Sequence, residues 1–429
     1  MYGDQFGEFV PMLLIRVPVY GLCDSGRGFW KRLDSESKET GFTASAVFPA
    51  FYFFKDNSSQ NEDETQESEV VAVMTTHVDD LLYSYLPQGK QAVEKLLSKF
   101  DIGTQESQNF RYCGKSFDEV DSVIRINVSD NTRRIHPIRI QDGRPNSDEL
   151  TPSDVTQLRS VVGSLSWIAR QGRPDLLYVV SRLQSEVKGA TVQTLRDANK
   201  AVALAQAGRD EVFLRFPMKL MKWNNVGVLS VSDASFANEP GRKSQQGRCH
   251  FLAPIDQLKN PEQTEFDVYP ISFSSTTIKR VCRATLQCET YSLQHSMESG
   301  DRIRALLVEM TGKIPVRMRN WEDICREQCP QLSMSDCMSL VKHLNAPIMA
   351  RCQDKRLEIE MKAIRQSLRD DQDKETYEKF ARGGDKLIWI HTSSMVADAL
   401  TKKMKPDFLI GVLRTNRYRV DLVQRNKGN

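Results

Sequence analysis

Residues 228–238 read VLSVSDASFAN, an apolar run with β-branched members that delivers Asp233 and then breaks into the turn-rich Asn238-Glu239-Pro240-Gly241-Arg242. The composition predicts a strand over 227–232, closed by Asp233. Outward from it, strand-like stretches follow at 248–254 and 268–274. Across 285–310, Leu286, Leu293, Met297, Leu306 and Met310 recur at roughly helical spacing, which predicts a helix with Glu289 near its start. A short strand at 332–335 delivers Asp336 at its carboxyl end. Another at 387–391 leads into a final helix carrying Asp398. The order strand, strand, strand, helix, strand, helix, helix, strand, helix predicts a mixed α/β sheet, and carboxylates gathered at strand ends suit open α/β sheets.

Each of the four acids has its own context: Asp233 in VLSVSDASFAN, Glu289 in ATLQCETYSLQ, Asp336 in LSMSDCMSLV and Asp398 in HTSSMVADALTKKM. Singly they are bland, a turn former, a helix-surface acid, an N-cap and a helix-start charge. Their joint order in one domain-sized stretch points to a site for hard cations, because Mg²⁺ takes oxygen ligands and a pair of ions activates water while stabilising the leaving oxygen of a phosphodiester. His391, at a strand end ahead of Asp398, is a candidate for helping a proton reach that oxygen. Lys279, Arg280 and Arg283 ahead of the Glu289 helix, with Arg242 and Lys243 in an earlier turn, are candidate phosphate contacts. A solvated charged face is the commoner reason for such clusters.

At these residues the chain resembles the ribonuclease H domain of copia-type long-terminal-repeat retrotransposon polyproteins. The family's SDA-like step is matched by Ser232-Asp233-Ala234, and its RxSxxG turn by Arg242-Lys243-Ser244-Gln245-Gln246-Gly247. TLQCETY at 285–291 stands where the family has a STEAEY-like helix motif, with Glu289 the acid available in either register. Ser335-Asp336-Cys337 replaces its cDN step, and Lys355-Arg356-Leu357-Glu358-Ile359 resembles its KHIDI segment with arginine for histidine. The closing ADxLTK motif is intact at 397–402. The resemblance implies cleavage of the RNA strand of an RNA·DNA hybrid, with Asp233, Glu289, Asp336 and Asp398 holding two Mg²⁺ ions about 4 Å apart and Mn²⁺ able to substitute. Hybrid selectivity would come from 2′-hydroxyl and groove-shape contacts.

Upstream the same family implies a reverse transcriptase. Val19-Tyr20-Gly21-Leu22 and Gly26-Arg27-Gly28-Phe29-Trp30 are similar to its YGLKQAPRxW stretch, and His77-Val78-Asp79-Asp80 to its YVDD step. Runs 51–54 and 70–78 read as paired strands around a polar, acidic stretch, 55–68. Val162-Gly163-Ser164-Leu165-Ser166-Trp167 and Arg173-Pro174-Asp175-Leu176 resemble the segments that link polymerase to nuclease. The family's third polymerase aspartate is expected in a strand preceding Met1, and Asp4, Asp24 and Asp34 do not match its context. Asp79 and Asp80 are therefore expected to be a vestigial polymerase metal pair, with little or no polymerization from this chain alone.

The resulting expectation is an α/β chain: a palm remnant at 1–150, a mainly helical connector at 151–222, a ribonuclease H-like mixed-sheet domain at 223–405 and a basic tail at 406–429. Residues 142–154, rich in Pro, Ser, Asp and Asn, form a hinge, and beyond Pro406 the tail packs as one short helix or frays. Two other readings stay open: a decayed or co-opted protein that grips nucleic acid without cutting, and a fragment completed by other polyprotein parts or a second subunit. The 429 residues, 40% hydrophobic and 27% charged, are ordinary for globular protein, and a net charge of +3 locates any nucleic-acid affinity in local patches. Nine cysteines without a CxxC pair suggest reduced thiols in an intracellular protein, cytoplasmic or nuclear, with Cys325 and Cys329 lacking a histidine pair for zinc. No stretch reaches membrane-span length, so no membrane partner is expected. Trp167 and Trp389 read as core fillers.

Overall fold

The computed structural model describes residues 24–56, 69–222, 224–311, 321–346, 348–349, 351–368 and 385–422. Asp4, the Val19 to Leu22 segment, Trp223 and residues 57–68 of the polar stretch lie outside the described residues. The chain divides into two compact units, 1–105 and 106–429.

In the first unit, helix α1 (Ser25–Glu39) carries the Gly26 to Trp30 segment and precedes strands β1 (Thr43–Ala44), β2 (Phe51–Asp56), β3 (Glu69–His77) and β4 (Asp80–Tyr85). They form one antiparallel sheet in that order, followed by helix α2 (Lys90–Leu97). Both helices are amphipathic. Leu33 of α1 and Ala92, Val93 and Leu96 of α2 bury against Tyr52, Ala72 and Met74 of the sheet. The expected strand pair at 51–54 and 70–78 is therefore present, with Phe51 opposite Thr75.

The second unit begins with strands β5 (Asn109–Tyr112), β6 (Lys115–Val120) and β7 (Val123–Asn127) and the short helix α3 (Ser129–Arg133). Helices α4 (Pro152–Gln171), α5 (Leu177–Glu186) and α6 (Val192–Ala207) follow, and strand β8 (Leu214–Pro217) closes an antiparallel sheet against β7. Strand β7 thus pairs with residues beyond the helices, Val123 opposite Pro217, an arrangement that local periodicity does not encode. The 142–150 segment is irregular, and α4 starts on a capping box in which the Thr151 hydroxyl accepts from the Asp154 amide and Asp154 from the Thr151 amide.

Next come β9 (Val226–Glu239), β10 (Lys243–Pro254), α7 (Ile255–Lys259), β11 (Glu265–Asp267), β12 (Tyr269–Thr277), α8 (Thr285–Thr311), α9 (Trp321–Gln328), β13 (Gln331–Ser335), α10 (Met338–Asn345), α11 (Lys355–Leu368) and β14 (Lys386–Trp389). After Pro406, α12 (Asp407–Thr415) and β15 (Arg417–Arg419) complete the chain. The central sheet has order β12-β10-β9-β13-β14, antiparallel from β12 to β9 and parallel from β9 to β14. The mixed α/β reading holds. Its buried residues continue without interruption into those of α4 to α6, so helices and sheet share one core.

Three expectations about elements change. Strand β9 does not stop at Asp233: pairing with β10 continues past a bulge, where Ala237 takes a positive φ of 53°, to Glu239 opposite Lys243. Asp398 lies on a 3₁₀ turn, Val396–Leu400, rather than an α-helix, a short segment packed against β9 and β10. Finally, the 406–422 part of the tail is built into the core, with Leu409, Val412, Leu413 and Tyr418 buried and β15 paired to β11.

Candidate metal centre

Strand β9 presents Asp233 in mid-strand, opposite Gly247 of β10 and on the face covered by α8. Helix α8 lies close on that face because the residues it turns inward are small. Ser292 and Ser296 are fully buried, and the Ser292 hydroxyl donates to the Asp233 carbonyl at 2.8 Å. One turn before Ser292 the same face carries Glu289. The parallel neighbour β13 ends at Ser335 and delivers Asp336, whose carbonyl accepts from the Trp389 indole at 2.9 Å.

Asp233, Glu289 and Asp336 consequently bring one carboxylate oxygen each to within 4.8 Å of one another. Asp233 is 1% exposed and Glu289 4%. Burial, together with neighbouring Asp398, pushes the Asp233 carboxyl up to about 6 despite the opposing Lys402 ammonium. Burial, then the charges of Asp233 and Asp336, holds Glu289 well above the ordinary carboxylate range, and burial and Asp233 raise Asp336. The cluster carries more negative charge than its protein partners neutralise. Glu289 Oε2 is buried without a hydrogen-bond partner, an orphaned oxygen on one of the three clustered acids. A divalent cation with oxygen preference fits that donor set; a soft metal does not.

Asp398 sits beside this trio, on the turn against β9. Gly247 makes the approach feasible: a Cβ there would lie 2.7 Å from the Leu400 Cβ and 3.0 Å from the Ala397 carbonyl. The Ser275 hydroxyl donates to the Leu400 carbonyl at 2.6 Å, fixing the turn further. Thr401, fully buried, donates its hydroxyl to Asp233 Oδ2. Lys402 pairs with Asp398 and stands 3.5 Å from Asp233 Oδ2. Burial alone would lower the Lys402 ammonium, but the carboxylates of Asp233 and Asp398 outweigh it and hold the group firmly cationic. Thr401 and Lys402 had no role in the sequence reading, although both lie in the ADALTK motif and Lys402 is four residues from Asp398.

His391 is not among the gathered residues; its Nδ1 accepts from the Ser393 amide at 3.2 Å and caps the turn after β14. Arg242, at positive φ, and Lys243 are exposed at the β9–β10 turn, and Lys279, Arg280 and Arg283 are exposed on the loop before α8. Arg280 is engaged within the chain, paired with Glu360 and stacked 5.0 Å over the Tyr291 ring. In the first unit, Asp79 and Asp80 are exposed at the β3–β4 hairpin, and among the described residues no third carboxylate gathers with them. Val78 in that hairpin takes a φ of 58°, a strained position for a β-branched residue. Trp167 and Trp389 are half-buried and pack against core clusters.

The fold and site together define a mixed α/β protein with a carboxylate cluster buried on the central sheet. No family model matches the chain. The chain is distantly similar to the transposon Ty1-JR2 and Ty1-ER2 Gag-Pol polyproteins of Saccharomyces cerevisiae, each 24% identical over 159 residues, 37% of this chain and 8% of theirs. The match therefore spans a small part of much longer polyproteins. Among solved structures, the foamy viral protease-reverse transcriptase in complex with RNA/DNA hybrid superposes with a TM-score of 0.38 at 11% identity, covering 74% of this chain and 36% of that one. RNase H1 from Halobacterium salinarum NRC-1 superposes at 0.23 and 14% identity, covering 41% of this chain and 93% of that one.

Proposed function

We propose that this chain is a reverse transcriptase and ribonuclease H region of a copia-type retrotransposon polyprotein, and that its second unit cleaves the RNA strand of RNA·DNA hybrids with two Mg²⁺ or Mn²⁺ ions. The observation that carries the reading is the convergence of Asp233, Glu289 and Asp336, whose ligand oxygens lie within 4.8 Å of one another, with Glu289 keeping one buried oxygen unpartnered. The distant similarity to Ty1 Gag-Pol polyproteins supports the polyprotein context.

In this reading Asp233, Glu289 and Asp336 hold one cation, and Asp398 joins Asp233 for the second. The ions would supply a hydroxide nucleophile and stabilise the departing 3′ oxygen. Thr401 keeps the Asp233 carboxylate from rotating, and the Trp389 indole keeps Asp336 at the strand end. Lys279 and Arg283, with Arg242 and Lys243, would contact backbone phosphates, and their exposure leaves them free to do so. His391 is assigned to the turn rather than to proton transfer. The eight cysteines among the described residues are free, in keeping with a reducing intracellular setting, and no helix among those residues is long and apolar enough to cross a membrane.

The test is cleavage of a hybrid with a labelled RNA strand, with Mg²⁺ and with chelator, by the parent chain and by Asp233→Asn and Asp336→Asn. Mg²⁺-dependent cutting by the parent and none by either variant is the expected result. Either variant cutting at the parental rate contradicts the assignment. Tight hybrid binding with no cutting by the parent favours instead a co-opted nucleic-acid-binding protein.

A further inference from the structure

The carboxylate cluster already contains one cation, supplied by the chain itself. Lys402 follows the turn that carries Asp398, its amide donates to the Asp398 carbonyl at 3.0 Å, and this helical spacing folds its side chain back over that residue. The ammonium is paired to Asp398 and lies 3.5 Å from Asp233 Oδ2, between the two acids that would have to share a second metal ion. Asp233 Oδ2 also takes the Thr401 hydroxyl, so this edge of Asp233 is committed to donors from the chain. Glu289 differs: its buried Oε2 has no hydrogen-bond partner.

We propose that Lys402 is an internal cation that fills the Asp233–Asp398 half of the site, so that the resting chain takes up one divalent ion, at Asp233, Glu289 and Asp336, rather than two. The inference rests on the metal-site reading above and deepens it. Lys402 is a positioning residue that sets the order of loading. Its side chain is 39% exposed, so the ammonium can leave towards solvent. A substrate phosphate beside the cluster would add the negative charge and the oxygen ligand that favour exchange of a monovalent ammonium for a second divalent ion. The site would then complete itself only when a nucleic-acid backbone is in place. That would spare the resting fold two strongly hydrated ions in a buried pocket.

The experiment counts Mn²⁺ bound to the full chain without nucleic acid, from the electron paramagnetic resonance signal of the free ion during titration, for the parent, Lys402→Gln and Lys402→Arg. One bound ion in the parent, two in Lys402→Gln with at least a ten-fold tightening of the second, and one in Lys402→Arg are expected. Two ions in the parent overturn the proposal without any variant and leave the metal-site reading standing. One ion in a folded Lys402→Gln, verified by its far-ultraviolet circular dichroism, overturns it as well. No ion in the parent overturns the metal-site reading and this proposal together.

Discussion

Two of the places where this protein buries charge solve the problem in opposite ways. In the helical part, Arg173 and Asp175 are 1% and 2% exposed at their side chains, and each finds its partner: Arg173 Nε and Nη2 donate to the two Asp175 oxygens at 2.9 and 2.8 Å, and Nη1 donates to the Ala205 carbonyl at 2.8 Å. The network is closed, and it ties the α4–α5 link to the end of α6. On the sheet, Asp233, Glu289 and Asp336 are gathered with one another, one oxygen is orphaned, and the carboxyls are displaced upward. Charge that is fully paired holds structure. Buried charge left short of partners is a place prepared for something the chain does not itself contain.

Breaking each site separates the two roles. Asp233→Asn is expected to cut hybrid cleavage by on the order of a thousand-fold or more. Without metal, the same variant should melt higher than the parent by roughly a few degrees, since like-charge crowding is relieved. A calorimetric scan beside the cleavage assay checks both, and a lower melting point would make Asp233 a structural residue like Asp175. Asp175→Ala should do the reverse. It strands a buried guanidinium and should cost roughly 3–5 kcal/mol, about 10 °C of melting temperature, while the folded fraction keeps its affinity for Mn²⁺. An unchanged melting temperature would show that the closed network is not what holds the helices.

The pH dependence sharpens the contrast. Asp233 has its folded carboxyl at about 6 against 3.8 unfolded, so the folded state binds more protons between those values. Its stabilising contribution is complete below 3.8 and is lost as pH rises through 6. A divalent cation would replace the proton above pH 6. Added Mg²⁺ should therefore raise the melting temperature more at pH 7.5 than at pH 5, and equal shifts at the two pH values would count against the cluster as its binding site. The smallest expected effect is that of Gly247→Ala. Its Cβ would press on Leu400 and the Ala397 carbonyl, displacing Asp398 and Thr401 while Asp233, Glu289 and Asp336 stay in place. Hybrid cleavage should fall about ten-fold with Mn²⁺ uptake at the trio preserved. A full-rate Gly247→Ala would show that the turn has room to yield.

Much of this was readable in the residues. The helix expected over 285–310 is α8, Thr285–Thr311, because its apolar positions are spaced for one buried face. The strand expected at 332–335 is β13, Gln331–Ser335, a short, fully buried run in which Leu332 and Met334 alternate with small serines. Where the reading fell short, tertiary pairing decided. Asp233 reads as a strand end because Pro240 and Gly241 follow, yet β10 pairs past it to Glu239. Sheet β5 to β8 joins residues some ninety positions apart, a register invisible to any local window. At the site, the acids were legible from their contexts, but Lys402 and Thr401 act through where the turn is pinned. That pinning depends on Gly247 in a different strand.

The proposed function stands or falls on a divalent ion held among Asp233, Glu289 and Asp336. A crystal of the protein soaked in Mn²⁺ and measured at an energy where manganese scatters anomalously tests it most directly. An anomalous peak is expected about 2.1 Å from an oxygen of each of the three residues. Well-ordered carboxylates with no peak between them, or a peak elsewhere on the chain, would contradict it.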